Sequence, residues 1–263
     1  MKIYLAGAEC NYDILRNAGA KRILISFFSF YNRQEWDLKK IIGSENIRFF
    51  DIFLDSGAYG AWTQNKTIDV YRYIDFIKQN ELYLGVYAQL DDKNDNERTK
   101  RNLKIMESAG LRPIPVYQRR MNDKDYLDYL CREYDYVAIG GMAGEGLSFK
   151  RTLRLLRWVM SIAMKYGTKI HAFGITGINT LKSIPLYSAD STSWLSGSRF
   201  GWRYVFQNGS LLSFKKNSGK NIYALQCFKY KNKELDFINA KEFVKFESYI
   251  TKLWEKRGVV WKE

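Results

Sequence analysis

Short apolar runs alternate with longer segments of helical period along most of this chain, and that alternation restricts the fold more than any other feature. The runs lie at residues 2–6, 22–26, 50–54, 83–89, 113–117, 136–139, 169–173 and 186–188. Between them, apolar positions recur at helical spacing over 12–17, 35–42, 68–79, 95–109, 123–132, 149–166 and 179–184, with a weaker pattern after Asp190. In 95–109, Leu103, Ile105 and Met106 face inward while Lys100, Arg101 and Lys104 cover the stem, and Gly110 supplies a left-handed stop. Strands separated by helices predict a parallel α/β protein. Eight such units within about 200 residues fit a compact (β/α)8 TIM barrel, at the small end of that fold's range. A doubly wound sheet is the alternative, because periodicity does not report closure.

After Trp194 the texture changes. Alternating or aromatic strands at 202–206, 210–214 and 221–225 are joined by turns at Asn208-Gly209 and Ser218-Gly219, and a helix follows at 240–256. The expected organisation is therefore a barrel over 1–194 and a basic C-terminal β-ribbon and helix over 195–263, packed on it.

Length and composition exclude several classes. The 263 residues are 46% hydrophobic, enough to bury a core, so disorder and fibrous repeats are out. Cys10, Cys131 and Cys227 are odd in number and scattered without a C-x-x-C spacing, which argues against a disulfide scaffold and for a reducing compartment. A zinc site would need all three cysteines and His171 drawn from distant places, so no metal is expected. No apolar run is long enough for a signal-peptide core or a membrane span, so a cytoplasmic protein without a membrane partner is expected.

Net charge is +14, and its distribution matters more than its size. Residues 1–145 hold 21 basic and 21 acidic side chains, whereas 146–263 hold 21 basic and 7 acidic. Between 146 and 233 there are 15 basic residues and a single carboxylate, Asp190. Such one-sided charge is the footprint of a phosphate-backbone partner, although a solvated Lys-rich surface has the same composition.

The unusual polar groups all follow the expected strand ends. Asp55-Ser56-Gly57-Ala58-Tyr59 ends the third strand, Gln89-Leu90-Asp91-Asp92 the fourth and Gln118 the fifth. Gly140-Gly141-Met142-Ala143 ends the sixth, Gly174-Ile175-Thr176-Gly177 the seventh and Asp190-Ser191-Thr192 the eighth. Singly, each reads as a turn or a helix cap. In a barrel, however, these ends form one mouth, where active sites are assembled. His171 falls inside a strand, which suits a core or supporting residue better than a Ser-His-Asp or Cys-His mechanism.

Taken in order, these segments resemble the tRNA-guanine transglycosylase superfamily, most closely its short phage-encoded branch, the 7-deazaguanine DNA transglycosylases. Asp55-Ser56-Gly57-Ala58-Tyr59 is similar to the family's Asp-Ser-Gly-Gly-aromatic loop, with Ala58 for the second glycine. Leu90-Asp91-Asp92 resembles its Phe-Asp-Glu segment, Val116-Tyr117-Gln118 its Val-Gln-Gly segment, and Gly140-Gly141-Met142-Ala143 its Gly-Gly-Leu-Ala loop. The seventh-strand glycines and Asp190 resemble the stretch that carries the family's nucleophile. The resemblance covers 50–194 and little beyond. The zinc module C-x-C-x-x-C of the family's tRNA enzymes has no counterpart here.

What the resemblance implies is a barrel that exchanges guanine in DNA for a 7-deazaguanine base such as preQ0 or preQ1, with tRNA as the alternative polynucleotide and no other cofactor. Asp190 would be the nucleophile and Asp55 the general acid and base. Asp91, or less readily Asp92, would read the guanine-like edge together with Ser56, Gln118, Gly140 and Gly141, and Tyr59 would stack on the base. Arg199, Arg203, Lys215 and Lys216 are the candidate phosphate contacts. A non-catalytic nucleic-acid-binding barrel and a two-carboxylate glycoside hydrolase are the competing readings; the first does not need Asp55 and Asp190 together, and the second does not need so basic a face.

Overall fold

A computed structural model of the chain describes residues 1–261 except 143–146, 176, 216–221 and 224–230. Eight parallel strands curl into one sheet: β1 (Lys2–Ala6), β2 (Arg22–Ser26), β3 (Asp51–Asp55), β4 (Val86–Tyr87), β5 (Val116–Gln118), β6 (Tyr136–Gly140), β7 (Lys169–Ala172) and β8 (Ser188–Ser191). Their order is β4-β3-β2-β1-β8-β7-β6-β5. The two ends of that sheet meet in a parallel bridge between Ala88 and Ile114. There Gln89 N–H donates to Ile114 O and Ile114 N–H to Tyr87 O, both at 2.9 Å. The sheet is thus a (β/α)8 TIM barrel, and the doubly wound alternative is excluded by this contact between first and last strands of the row.

Strand alternation sorts the core into two shells. Side chains of Tyr4, Leu24, Phe53, Ala88, Val116 and Ala138 fill the barrel interior. Their neighbours in sequence, such as Ile3, Ile25, Leu54, Val137 and Ile170, point outward into the larger apolar layer beneath the helices. The helices follow the strands: α1 (Tyr12–Asn17), α2 (Leu38–Ile42), α3 (Ser44–Phe49), α4 (Ala58–Thr63), α5 (Val70–Asn80), α6 (Asn96–Ser108), α7 (Lys124–Glu133), α8 (Phe149–Tyr166), α9 (Ile178–Ser183) and α10 (Ser196–Phe200). Aspartate or serine caps fix several starts, with Asp69, Asp95, Asp123 and Ser148 each accepting from the first turn. Gly167, in the left-handed conformation, stops α8.

Two boundaries differ from expectation in ways that bear on function. The eighth strand runs Ser188–Ser191, not 186–188, so Asp190 lies within it. Asp55 likewise is the last residue of β3. Parallel pairing holds both in the ladder, which makes their directions a property of the sheet and not of a loop.

Beyond β8, β9 (Arg203–Gln207) and β10 (Ser210–Phe214) form an antiparallel ribbon. Most of the expected third strand, 221–225, lies outside the described residues. The last helix is longer than its periodicity suggested, Asn232–Lys256. It packs on α1, α9 and β1, and so fills the place of the barrel's eighth outer helix. Near its start Asn239 Nδ2 donates to Trp194 O (3.2 Å) and Trp202 O (3.0 Å). Towards its end Trp254 Nε1 donates to Leu181 O (2.8 Å) and Thr251 Oγ1 to Met1 O (2.8 Å). Glu247 Oε1 accepts from Ile3 N–H (2.9 Å) and Arg22 Nη1 (2.8 Å), anchoring the helix to two strands.

Candidate functional site

Register brings the candidate carboxylates together. Asp190 pairs with Tyr4, whose ring is inside the barrel, so its carboxylate also faces inward near the carboxy-terminal end. Asp55 shares the inward face of β3 with Phe53, one residue pair higher. Gln118, which ends β5, lies opposite Gly140 of β6. Asp91 comes in from the loop after β4, where its Oδ1 accepts from Ser56 Oγ (3.2 Å) and its Oδ2 from Gln118 Nε2.

Ser56, Asp91 and Gln118 are therefore a single hydrogen-bonded unit. Gly140 and Gly141 complete it by leaving room: a Cβ on Gly140 would stand 2.6 Å from Gln118 Nε2, and one on Gly141 2.9 Å from Gln118 Oε1. The left-handed backbone of Gly141 (φ 76°) also favours glycine. Asp92 turns the other way. Its Oδ1 accepts from the N–H groups of Asn94 (2.9 Å) and Asp95 (3.1 Å), and its Oδ2 from Arg98 (3.3 Å), so it fastens the loop to α6.

Asp190 is held through one oxygen. Its Oδ1 accepts from Gly174 N–H (2.9 Å) and lies 3.3 Å from His171 Nε2, while among the described residues Oδ2 has no hydrogen-bond partner. His171 is completely buried, with its Nδ1 2.6 Å from Ser188 Oγ, which is 2.5 Å from Tyr136 Oη. One consistent assignment has every proton pointing towards Asp190: Tyr136 O–H to Ser188, Ser188 O–H to Nδ1, Nε2–H to Oδ1. Rings of Tyr4, Phe53 and Phe173 surround the imidazole at centroid distances of 4.5–6.3 Å.

The electrostatics separate the acids. Loss of hydration, reinforced by the charges of Asp91 and Asp190, pushes the Asp55 carboxyl up to about 8, although Gly57 N–H donates to it at 3.0 Å. Burial also pushes Asp91 up to about 6, against the opposing hydrogen bonds from Ser56 and Gln118. Near neutral pH the mouth thus holds a protonated Asp55 beside an ionised Asp91, a division of roles that acid–base chemistry requires. A further carboxylate, Glu9, follows β1; its Oε1 accepts from Ser26 N–H (2.8 Å), burial raises its pKa, and its charge adds to that felt by Asp55.

Beside the mouth lies a cleft of about 530 Å³ between α4 and the loop leading to α6. Asp91, Asp92, Trp62 and Lys93 are among its lining residues, whereas Asp55, Asp190 and Gln118 are not. Asp91 is thus common to the carboxylate cluster and the cleft. Tyr59 is half exposed on α4, its ring 6.1 Å from that of Trp62, and Lys93 Nζ sits over both rings at 5.3 and 3.4 Å.

The candidate phosphate contacts sit in different surroundings. Arg199, on α10, is exposed and donates to Thr192 Oγ1 (3.2 Å), two residues past Asp190. Arg203 is half-buried over the Tyr223 ring (5.1 Å), with Nε and Nη1 enclosed and without a hydrogen-bond partner among the described residues. Lys215 Nζ lies 4.7 Å from the Trp202 ring centroid, and Lys216 is outside the described residues. Among the described residues no group of three or more His, Cys, Asp or Glu is placed to hold a metal ion, and no helix is long and apolar enough to cross a membrane.

Two supporting residues join the site: His171, expected as a core or supporting residue without a partner named, and Glu9, which the sequence reading did not single out. For His171 the available signal was parity, since Ala138, His171 and Ser188 fall in one inward row once the register is known. Glu9 differs, lying three residues past β1 where a strand-end rule alone would have included it.

No protein-family model matches the chain, and no curated protein matches it. Solved structures do. A protein from Coccidioides immitis assigned as a fructose-1,6-biphosphate aldolase superposes with a TM-score of 0.54 at 9% identity, over 97% of this chain and 92% of that one. The carboxyl transferase domain of Rhizobium etli pyruvate carboxylase, with 3-bromopyruvate, gives 0.50 at 13% identity, over 96% of this chain and 48% of that one. This chain therefore spans about half of the carboxyl transferase chain. At such identities the likeness is one of fold: the chain is similar to these proteins as a (β/α)8 barrel.

Proposed function

We propose that this chain is a DNA guanine transglycosylase, a pentosyltransferase that exchanges guanine for a 7-deazaguanine base through a covalent Asp190–sugar intermediate. The observation that carries the reading is a half-buried Asp55 whose carboxyl is pushed up to about 8, facing the same mouth as an Asp190 whose second oxygen has no hydrogen-bond partner among the described residues. In the first half-reaction an Asp190 oxygen bonds to C1′ as the C1′–N9 bond breaks, and Asp55 delivers its proton to the departing guanine. In the second, Asp55 takes the N9 proton of the incoming 7-deazaguanine, whose N9 displaces the Asp190 carboxylate. Two inversions restore the original configuration.

Asp91 accepts from the N1–H and 2-amino group of the base, an assignment favoured over Asp92 because Asp91 joins Ser56 and Gln118 in the mouth while Asp92 turns to Arg98 and α6. Gln118 and the Gly141 amide address the O6 edge, and Tyr59 supplies an aromatic face. A base inside a duplex does not reach such a pocket, so the target nucleotide is flipped out or single-stranded.

The test is incubation with labelled preQ0 or preQ1 and, separately, duplex DNA, single-stranded DNA and tRNA, with Asp190→Ala as control. Label entering DNA with the wild type alone supports the proposal. Label entering only tRNA transfers the activity to RNA. Salt-sensitive DNA binding without incorporation leaves a non-catalytic nucleic-acid-binding barrel.

A further inference from the structure

We propose that the exposed face of α8 is a docking track for a polynucleotide backbone, distinct from the ribbon residues first singled out and resting on the nucleic-acid reading above. Helix α8 buries Thr152, Leu156, Val159, Ile162 and Ala163 against the barrel. Its opposite face presents Lys150, Arg151, Arg154 and Arg157, all exposed. Lys150, Arg154 and Arg157 line a hollow of about 310 Å³, with Leu153 beside them in its wall.

Among the described residues none of these four cations forms an ion pair, although Lys165 further along the same helix pairs with Asp128 at 3.8 Å. Neighbouring like charges at i, i+4 and i+3 spacing repel one another along a helix surface. Other faces of this protein relieve such repulsion with carboxylates, as Lys100 does with Glu97 and Asp123. On α8 the row is left to solvent ions, which a polyanion can displace.

The arrangement selects among polyanions. Seven residues of α-helix rise about 10 Å, so Lys150, Arg154 and Arg157 form a row on the length scale over which a strand presents successive phosphates. That row starts on the carboxy-terminal side of the barrel, the side of the mouth, because α8 is the helix that follows β6. At the same end Phe149 is 49% exposed, one turn before Leu153, and offers a ring on which an unpaired base can stack. A cationic row headed by an aromatic fits a strand led towards the carboxylates.

Fluorescence anisotropy with labelled single-stranded DNA, duplex DNA and tRNA across a salt series, with phosphatidylserine vesicle co-sedimentation in parallel, tests this on the full chain. Arg154→Glu/Arg157→Glu is expected to weaken binding about tenfold or more at moderate salt and to flatten the log K against log[salt] slope by about 2. Lys78→Glu/Lys104→Glu, on α5 and α6, is expected to bind as the wild type. Unchanged affinity and slope in the α8 variant, with a wild type that does bind, overturns the track and leaves the proposed function standing. A wild type that binds neither DNA nor RNA overturns both. Binding to phosphatidylserine vesicles in place of DNA, lost in the α8 variant, reassigns the face to a membrane surface and overturns the proposal.

Discussion

Asp55 carries the sharpest consequence at the scale of single residues. Because its folded-state pKa is raised to about 8, it keeps a proton that the unfolded chain releases near pH 4, and native stability is lost as pH rises through that interval. Asp55→Asn removes the titration while keeping an acceptor for Gly57 N–H. The variant is expected to be more stable than the wild type at pH 8, by on the order of 2 kcal/mol, with the gap closing towards pH 5 in urea titrations. It should also lose base exchange at least about a hundredfold, since no proton reaches the leaving group. In the wild type, kcat/KM should rise as Asp91 ionises near pH 6 and fall as Asp55 deprotonates near pH 8. His171→Asn tests the support of the nucleophile: a drop in kcat of up to about a hundredfold with little change in KM is expected if the imidazole aims Asp190. Equal KM and kcat effects, or none, would show a packing role only.

Elements set where these residues point. The run at 50–54 was legible as a strand, but whether Asp55 ended it or followed it decided whether its side chain faced the barrel interior. Alternation within β3 puts Asp51, Phe53 and Asp55 on one face, and in β8 it does the same for Ser188 and Asp190. Loop chemistry was legible in type and not in direction: Asp91 and Asp92 are adjacent, and only the path of the loop turns the first to Gln118 and the second to Arg98. The turn between β3 and α4 has little slack. Gly57 is left-handed (φ 79°), and a Cβ there would run into Ser26 Oγ and Phe28. Gly57→Ala is expected to cost about 1–3 kcal/mol in denaturant unfolding and to lower activity further by displacing Asp55 and Ser56.

For the whole molecule, the last helix matters most. Its periodicity predicts a helix packed on the barrel behind a basic ribbon, and its contacts give it a place in the outer ring between α9 and α1. Trp254 is 7% exposed and bonds to Leu181, so Trp254→Ala is expected to cost about 3–5 kcal/mol, read as a shift of the urea midpoint. If the helix were dispensable to the barrel, the midpoint would not move.

The chain's periodicity alone determined the α/β class and the eight units, because these follow from 2- and 3.6-residue repeats that are local. Local chemistry also marked Asp55, Asp91, Gln118 and Asp190 as strand-end groups. Closure through Ala88 and Ile114, the burial that raises Asp55, the contact of His171 with Asp190 and the role of the last helix were decided only by tertiary structure. Each of those depends on which distant segments displace water from a shared space, and no repeat within a segment encodes that.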